Sequence, residues 1–214
     1  SALPLVAVLS GESANGSLTI EGNRPSVVVL HGLSLANREG GAISLKGKPA
    51  CTLLLAEGTS SSLADAPDGE QKACLYSKAT LTLAGSGGLS VQANCQHAVA
   101  SKHSVRVAEG AGMIDLTCIA DGGKAIKAND SITIEGGCLT AMVSGNATVG
   151  EEDGVIDTTK AAALKADSAI IILGGQLALT CTGTGSKCIV TDGMVTIGMS
   201  DGSGDGAAAR PIVM

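Results

Sequence analysis

The chain contains no tryptophan, no phenylalanine and a single tyrosine, Tyr76. An interior without large rings has to be filled by small aliphatic side chains packed in a thin layer. Charge is scarce as well. Only 16% of the 214 residues are charged, with 14 Lys and Arg against 20 Asp and Glu and a net charge of −6. With no basic excess and no aromatic stacking platform, a nucleic-acid binder is disfavoured. No apolar run reaches the ~18 residues of a membrane-spanning helix. The apolar stretch Ser1–Leu9 lacks a basic flank and is not read as a secretory leader. No stretch holds a 3.6-residue apolar period, so helices are not expected.

Glycine is plentiful, 30 of 214 residues, about twice the usual ~7%. It punctuates a repeat. Leu81-Thr-Leu-Ala-Gly85, Val105-Arg-Val107, Ile132-Thr-Ile-Glu-Gly136, Ile170-Ile-Ile-Leu-Gly174 and Val195-Thr-Ile-Gly198 are short strands that stop at or near glycine. A second alternating strand follows in Leu89–Ala93, Ile114–Cys118, Leu139–Val143 and Leu177–Cys181, and a third apolar step at Ala98-Val99, Ala125-Ile126, Ala163-Leu164 and Cys188-Ile189. The starts are spaced by 24, 27, 38 and 25 residues, and the long interval holds an insertion within Gly145–Thr159. Three short strands per unit of roughly 25 residues predict one coil of a parallel β-helix, with period-2 alternation sending one side-chain set inward. The fold class is all-β: one solenoid domain over 1–214 of about eight coils, with like residues stacked about 4.8 Å apart. Loops are expected at Ser60–Gln71 and Gly145–Thr159. End caps are expected in Ser1–Gly16, the irregular N-terminal part, and in Ala207–Met214 within a C-terminal tail from about residue 200.

The same register accounts for four of the seven cysteines. Cys74 and Cys188 fall in the slot of Ala98, Ala125 and Ala163, and Cys118 and Cys181 in the slot of Ala93 and Val143. These are small buried hydrophobes rather than ligands, since no Cys-x-x-Cys pair exists. Cys118 and Cys181 stand two coils apart, ~9.6 Å, too far to bridge.

Several coils carry familiar text. Val28-Val-Leu-His-Gly-Leu-Ser-Leu-Ala36, Gly41–Lys46, Thr52–Thr59, Ser62–Asp65, Leu75–Lys78, Leu81–Val91 and Ala98–Lys102 follow in the order found in one bacterial family. Over roughly residues 10–200 the chain resembles the secreted "carbohydrate-binding domain-containing" β-helix proteins of anaerobic bacteria, related in fold to pectate and other polysaccharide lyases. The resemblance implies a right-handed parallel β-helix, a secreted or cell-surface location, bound calcium, and acidic or cellulosic polysaccharide as partner. Some members are described as adhesins. The family's Asp-Asp-Gly step is thinned here to Asn94-Cys-Gln-His97 and Asp121-Gly-Gly123.

Candidate sites follow from the turns. Calcium needs six to eight oxygens. Asp121, Asp130, Asp153 and Asp157 flank neighbouring coils, and Asp201-Gly-Ser-Gly-Asp205-Gly206 copies the first half of a calcium loop without its distal acid. Lys127 and Lys165 occupy equivalent places in successive coils, with Lys102 two residues later in its own, as an outward basic ladder able to meet uronate carboxylates. A lyase would need such a lysine with a lowered pKa in a groove, to take the proton α to a uronate carboxylate. No catalytic residue is assigned. His97 and His103 are read as surface histidines. Gly183–Lys187 lacks the Walker spacing. With Tyr76 the sole ring available for stacking, sugar recognition has to be polar or cation-mediated. The reading is therefore an extracellular polysaccharide-binding protein, calcium-assisted and non-catalytic, that favours acidic glycans. The alternatives are a lyase of the same fold or a structural, adhesive β-helix.

Overall fold

In the computed structural model, which describes residues 3–152 and 155–198, every regular element is a strand. The stack opens with β1 (Leu5–Ser13), β2 (Leu18–Ile20), β3 (Ser26–Ala36), β4 (Ile43–Leu45), β5 (Cys51–Leu55), β6 (Ser60–Ala64) and β7 (Leu75–Ser77). Its centre is β8 (Leu81–Ala84), β9 (Gly88–Ala93), β10 (His97–Ser101), β11 (Val105–Val107), β12 (Met113–Cys118), β13 (Lys124–Ala128), β14 (Ser131–Ile134) and β15 (Cys138–Val143). It ends with β16 (Thr148–Glu152), β17 (Val155–Thr159), β18 (Ala162–Ala166), β19 (Ala169–Ile172), β20 (Gln176–Cys181), β21 (Lys187–Thr191) and β22 (Met194–Ile197).

Every pairing in the stack is parallel, and the chain visits three faces in turn. The first face carries β5, β8, β11, β14, β19 and β22, the second β6, β9, β12, β15 and β20, and the third β2, β4, β7, β10, β13, β18 and β21. β1 and β3 are long enough to turn the corner from the first face to the second within one strand. Each bends at a glycine with positive φ, Gly11 (92°) and Gly32 (67°), where a side chain would strain the backbone. Seven complete coils result among the described residues, with β22 as a further rung on one face.

The ladders predicted from the repeat are present. Leu53, Leu83, Val107, Ile134 and Ile172 stack on the first face, and Ile43, Leu75, Val99, Ile126 and Leu164 on the third, all fully buried. Each such side chain contributes roughly 1.5–3 kcal/mol on burial, so the coils hold together without rings. In the last coil the alternation weakens, since no described coil covers β20 and β21.

Three expectations need correction. Ser60–Ala64 is strand β6, paired to β3 and β9, so the loop expected there begins only at Asp65. Leu5–Ser13, placed in the irregular N-terminal part, is strand β1 paired parallel to β3, with a register shift between Leu9 and Gly11. The inserted segment is not a plain loop but an antiparallel hairpin, β16 on β17.

Candidate functional site

On the third face one outward column runs Thr19, Ser44, Tyr76, Ala100, Lys127, Lys165 and Val190 along the axis. Both segments that interrupt the repeat, residues 65–74 and the β16–β17 hairpin, are inserted at the corner where the chain enters this face. They stand as walls beside a flat sheet and turn it into a trough.

Hydrogen bonds pin both walls. Asp65 is buried. Its Oδ1 accepts the Asn94 amide (2.6 Å), and its Oδ2 accepts from Gln71 Nε2 (3.2 Å), which also donates to the Ala66 carbonyl (2.7 Å). Burial lifts its carboxyl above the ordinary range, against those hydrogen bonds. At the hairpin, Asp121 Oδ1 accepts the Asn146 amide (2.7 Å), and Asn146 Oδ1 accepts the Thr184 amide of the next coil (2.9 Å).

Three hollows run end to end in the trough. One of about 360 Å³ lies between Ser44, Lys46, Lys72 and Tyr76. The next, about 240 Å³, shares Lys72 and Tyr76 and adds His97, Lys102, Lys127 and Asn129. The last, about 470 Å³, shares Lys127 and adds Lys124, Lys160, Lys165, Asp167 and Asp192. Seven of the ten lysines line these hollows, against three carboxylates, Glu70, Asp167 and Asp192. A chain of net charge −6 has thus gathered most of its lysines on one face.

The wall between the last two hollows is the most perturbed part. His97 and Lys124 are register partners on adjacent rungs, only 4% and 7% exposed. The Lys124 amide donates to His97 Nδ1 (3.2 Å), so the ring is neutral and carries its proton on Nε2. Burial, then Lys124 and Lys127, pull His97 down to about 3. Lys124 Nζ donates to the Gly122 carbonyl (2.6 Å). Burial, with Lys127 next, lowers it to about 8.

The predicted basic ladder falls in this trough. Lys127 and Lys165 are direct register partners, and Lys102 lines the central hollow. Their surroundings differ. Lys165 Nζ sits 2.8 Å from Asp192 and 3.4 Å from Asp167, which hold it above the ordinary lysine range although burial opposes them. His103 is exposed as expected, 3.1 Å from Asp130, but His97 is buried, which corrects its reading as a surface histidine.

Among the described residues the acidic candidates Asp121 and Asp130 are not brought together. Asp121 and Asp130 stand at opposite ends of β13, one hydrogen-bonded to Asn146 and the other paired with His103. Asp157 lies opposite Gly150 in the hairpin, and Asp153, Asp201 and Asp205 lie outside the described residues. Among the described residues no three His, Cys, Asp or Glu groups gather around a point, so Asp121 and Asp130 do not fit a shared calcium centre. Among them, too, no helix is long and apolar enough to cross a membrane.

Sequence reasoning missed Lys46, Lys72, Lys124 and Lys160 and placed His97 on the surface. His97 and Lys124 share a column of the repeat, a signal that was available. Lys72 and Lys160 sit in or beside insertions, which no register reaches.

Comparison with known proteins agrees with this architecture. The gadolinium derivative of a polysaccharide lyase-like protein from C. thermocellum superposes with a TM-score of 0.69 at 22% identity, over 94% of this chain and 86% of that one. A carbohydrate-binding domain-containing protein of Acetivibrio thermocellus is 26% identical over 117 residues, 50% of this chain and 41% of the relative, so the match spans well under half of that protein. The family model described as "Carbohydrate-binding domain-containing protein" matches residues 6–153. With well over half of its length matched, the chain belongs to the carbohydrate-binding domain-containing proteins.

Proposed function

We propose that the chain binds an acidic polysaccharide along the third face, held by lysines and oriented by Tyr76, without cutting it. The observation that carries this reading is the continuous trough in which seven lysines outnumber three carboxylates. A uronate or sulfated chain laid along the axis meets Lys72, Lys102 and Lys127 in succession, each able to donate charge-assisted hydrogen bonds. Tyr76, half-buried between two hollows, offers the one ring face for a sugar. The carboxylate struts at Asp65 and Asp121 keep the walls in place before the ligand arrives, which lowers the ordering cost of binding. A secreted or surface location belongs to the same proposal.

Calcium enters only as an accessory, with Asp153, Asp157, Asp201 and Asp205 as the residues left to supply it.

Binding isotherms for a polyuronate and a neutral polysaccharide of equal length test the reading. The polyuronate should bind more tightly and weaken as salt rises through the range where the Debye length falls from ~10 to ~3 Å. Equal retention of the neutral polymer, or no dependence on salt, would overturn it.

Lys124 favours a second reading, a lyase. A lysine lowered to about 8 beside a groove is suited to remove a proton α to a carboxylate. Against it, Lys124 is buried and its ammonium is engaged by the Gly122 carbonyl. Incubation with polyuronate should give no rise in the ultraviolet absorbance of an unsaturated uronide. A rise that Lys124→Ala abolishes would establish the lyase instead.

A further inference from the structure

The corner between the second and third faces carries two inward columns. One runs Ala93, Cys118, Val143 and Cys181, and the other Ala98, Ala125, Ala163 and Cys188. Within one coil, therefore, the facing pairs are Ala93 with Ala98, Cys118 with Ala125, Val143 with Ala163, and Cys181 with Cys188. Only the last of these four coils puts sulfur on both sides of the corner. There the Cys181 thiol donates to the Lys187 carbonyl (3.2 Å), and the Cys188 thiol to the Leu179 carbonyl (3.3 Å). Each sulfur thus leans on backbone beside the other's residue, and Cys188 stands close enough to help push the Cys181 thiol up. Cys74 and Cys118, by contrast, are sealed in the core. Cys181 and Cys188 are only half-buried, because no described coil covers theirs.

We propose that Cys181 and Cys188 are a disulfide-forming pair that staples the last complete coil across this corner when a low-molecular-weight disulfide is present. Columns run along the axis, which is why spacing alone brings no two cysteines within reach; this pair crosses the corner inside one coil. The Cys188 thiolate attacks one sulfur of the reagent disulfide, releasing one thiol and leaving a mixed disulfide on Cys188. The Cys181 thiolate then attacks Cys188 Sγ and expels the second thiol. Two protein thiols are oxidised and one reagent disulfide is reduced to two thiols. Cys181 is the resolving partner: burial and the neighbouring Cys188 push it up to about 11, so it is a poor first nucleophile but needs no diffusion to react second.

The test uses the full chain treated with oxidised glutathione, then alkylated and digested with trypsin without reduction. Lys187 is the one cleavage site between the two cysteines, so the staple links the two fragments on either side of it. We expect that linked species as the main product, loss of both cysteines from the alkylated pool, and amide exchange in β20 and β21 slowed by about tenfold or more. In Cys181→Ser, a half-buried and conservative change, Cys188 should instead keep the glutathione adduct. A persistent adduct on Cys188 in the unsubstituted chain, or linkage of either cysteine to another thiol, would overturn the proposal.

Discussion

His97 makes acid stability depend on one ring. Its folded-state value of about 3 lies well below the 6.5 of an unfolded histidine. Burial is the main cause, with Lys124 and Lys127 adding to it. A base depressed on folding is protonated first in the unfolded chain. The unfolded state therefore binds more protons between about pH 6.5 and 3, and stability falls as pH drops through that window. One proton taken up by the unfolded chain alone costs about 1.4 kcal/mol for each pH step, so the loss relative to pH 8 is roughly 2 kcal/mol at pH 5 and roughly 3 kcal/mol at pH 4. His97→Asn is the matched control, because an Asn carbonyl can stand where Nδ1 accepts the Lys124 amide but cannot titrate. Carboxylates such as Asp65 titrate alike in both proteins and cancel in the difference. Denaturant melts at pH 8 and pH 5 should show a loss smaller by about 2 kcal/mol in the variant. If the two proteins lose the same stability within about 0.5 kcal/mol, the buried neutral imidazole is wrong.

Other expectations concern the trough and the corners. Lys127→Ala should weaken polyuronate binding roughly tenfold, and Lys165→Ala clearly less, since Asp192 and Asp167 already neutralise Lys165; equal losses in titration calorimetry would refute that ranking. A Cβ on Gly145 would overlap the Ala120 carbonyl, whereas one on Gly150 meets nothing within 4 Å. Chemical unfolding should therefore show Gly145→Ala losing roughly 2 kcal/mol or more and Gly150→Ala staying within about 0.5 kcal/mol. Polyuronate retention should fall only slightly from millimolar calcium to chelator, because the lysines themselves supply most of the charge. Retention lost on chelation would instead assign a bridging cation to the acidic residues of the hairpin or the C-terminal segment.

The architecture was legible because a β-helix writes its register into the chain. Ile132 pairs with Val105 and Ile170, Lys127 with Lys165, and Cys118 with Val143, as the repeat alone implies. What the repeat could not carry is whatever breaks it. Ser60–Ala64 has three consecutive serines and looks like a loop, yet stacking on β3 and β9 overrides that weak propensity. His97 looks like a turn residue because it follows Asn94-Cys-Gln96, but the first position of β10 lies under the rung of Lys124 and is closed over. Lys72 gave no signal, since its place depends on Asp65, Gln71 and Asn94 holding an insertion against the next coil.

Those same breaks are why the proposed binding surface lies on the third face. A regular solenoid face is flat, and a flat sheet of short outward side chains gives a polymer no lateral restraint. Insertions can be tolerated only where the chain leaves one rung for the next, and here both fall at the corner that opens onto β7 and β18. Had they been placed at different corners, each would shade a different face and neither would make a trough. Sharing a corner, they flank the column that holds Tyr76, Lys127 and Lys165. The lysines can then crowd together at a cost the fold absorbs locally: burial, with the neighbouring lysines adding to it, lowers the Lys124 ammonium and keeps the His97 ring neutral. An acidic ligand would return the favourable term, because its charge lowers the mutual repulsion of Lys124, Lys127 and Lys102 along the trough. Binding and the Lys124 pKa are therefore linked: a bound polyanion should raise that pKa, and affinity should fall as pH rises through about 8. An affinity that is flat from pH 7 to pH 9 would place the ligand away from this wall.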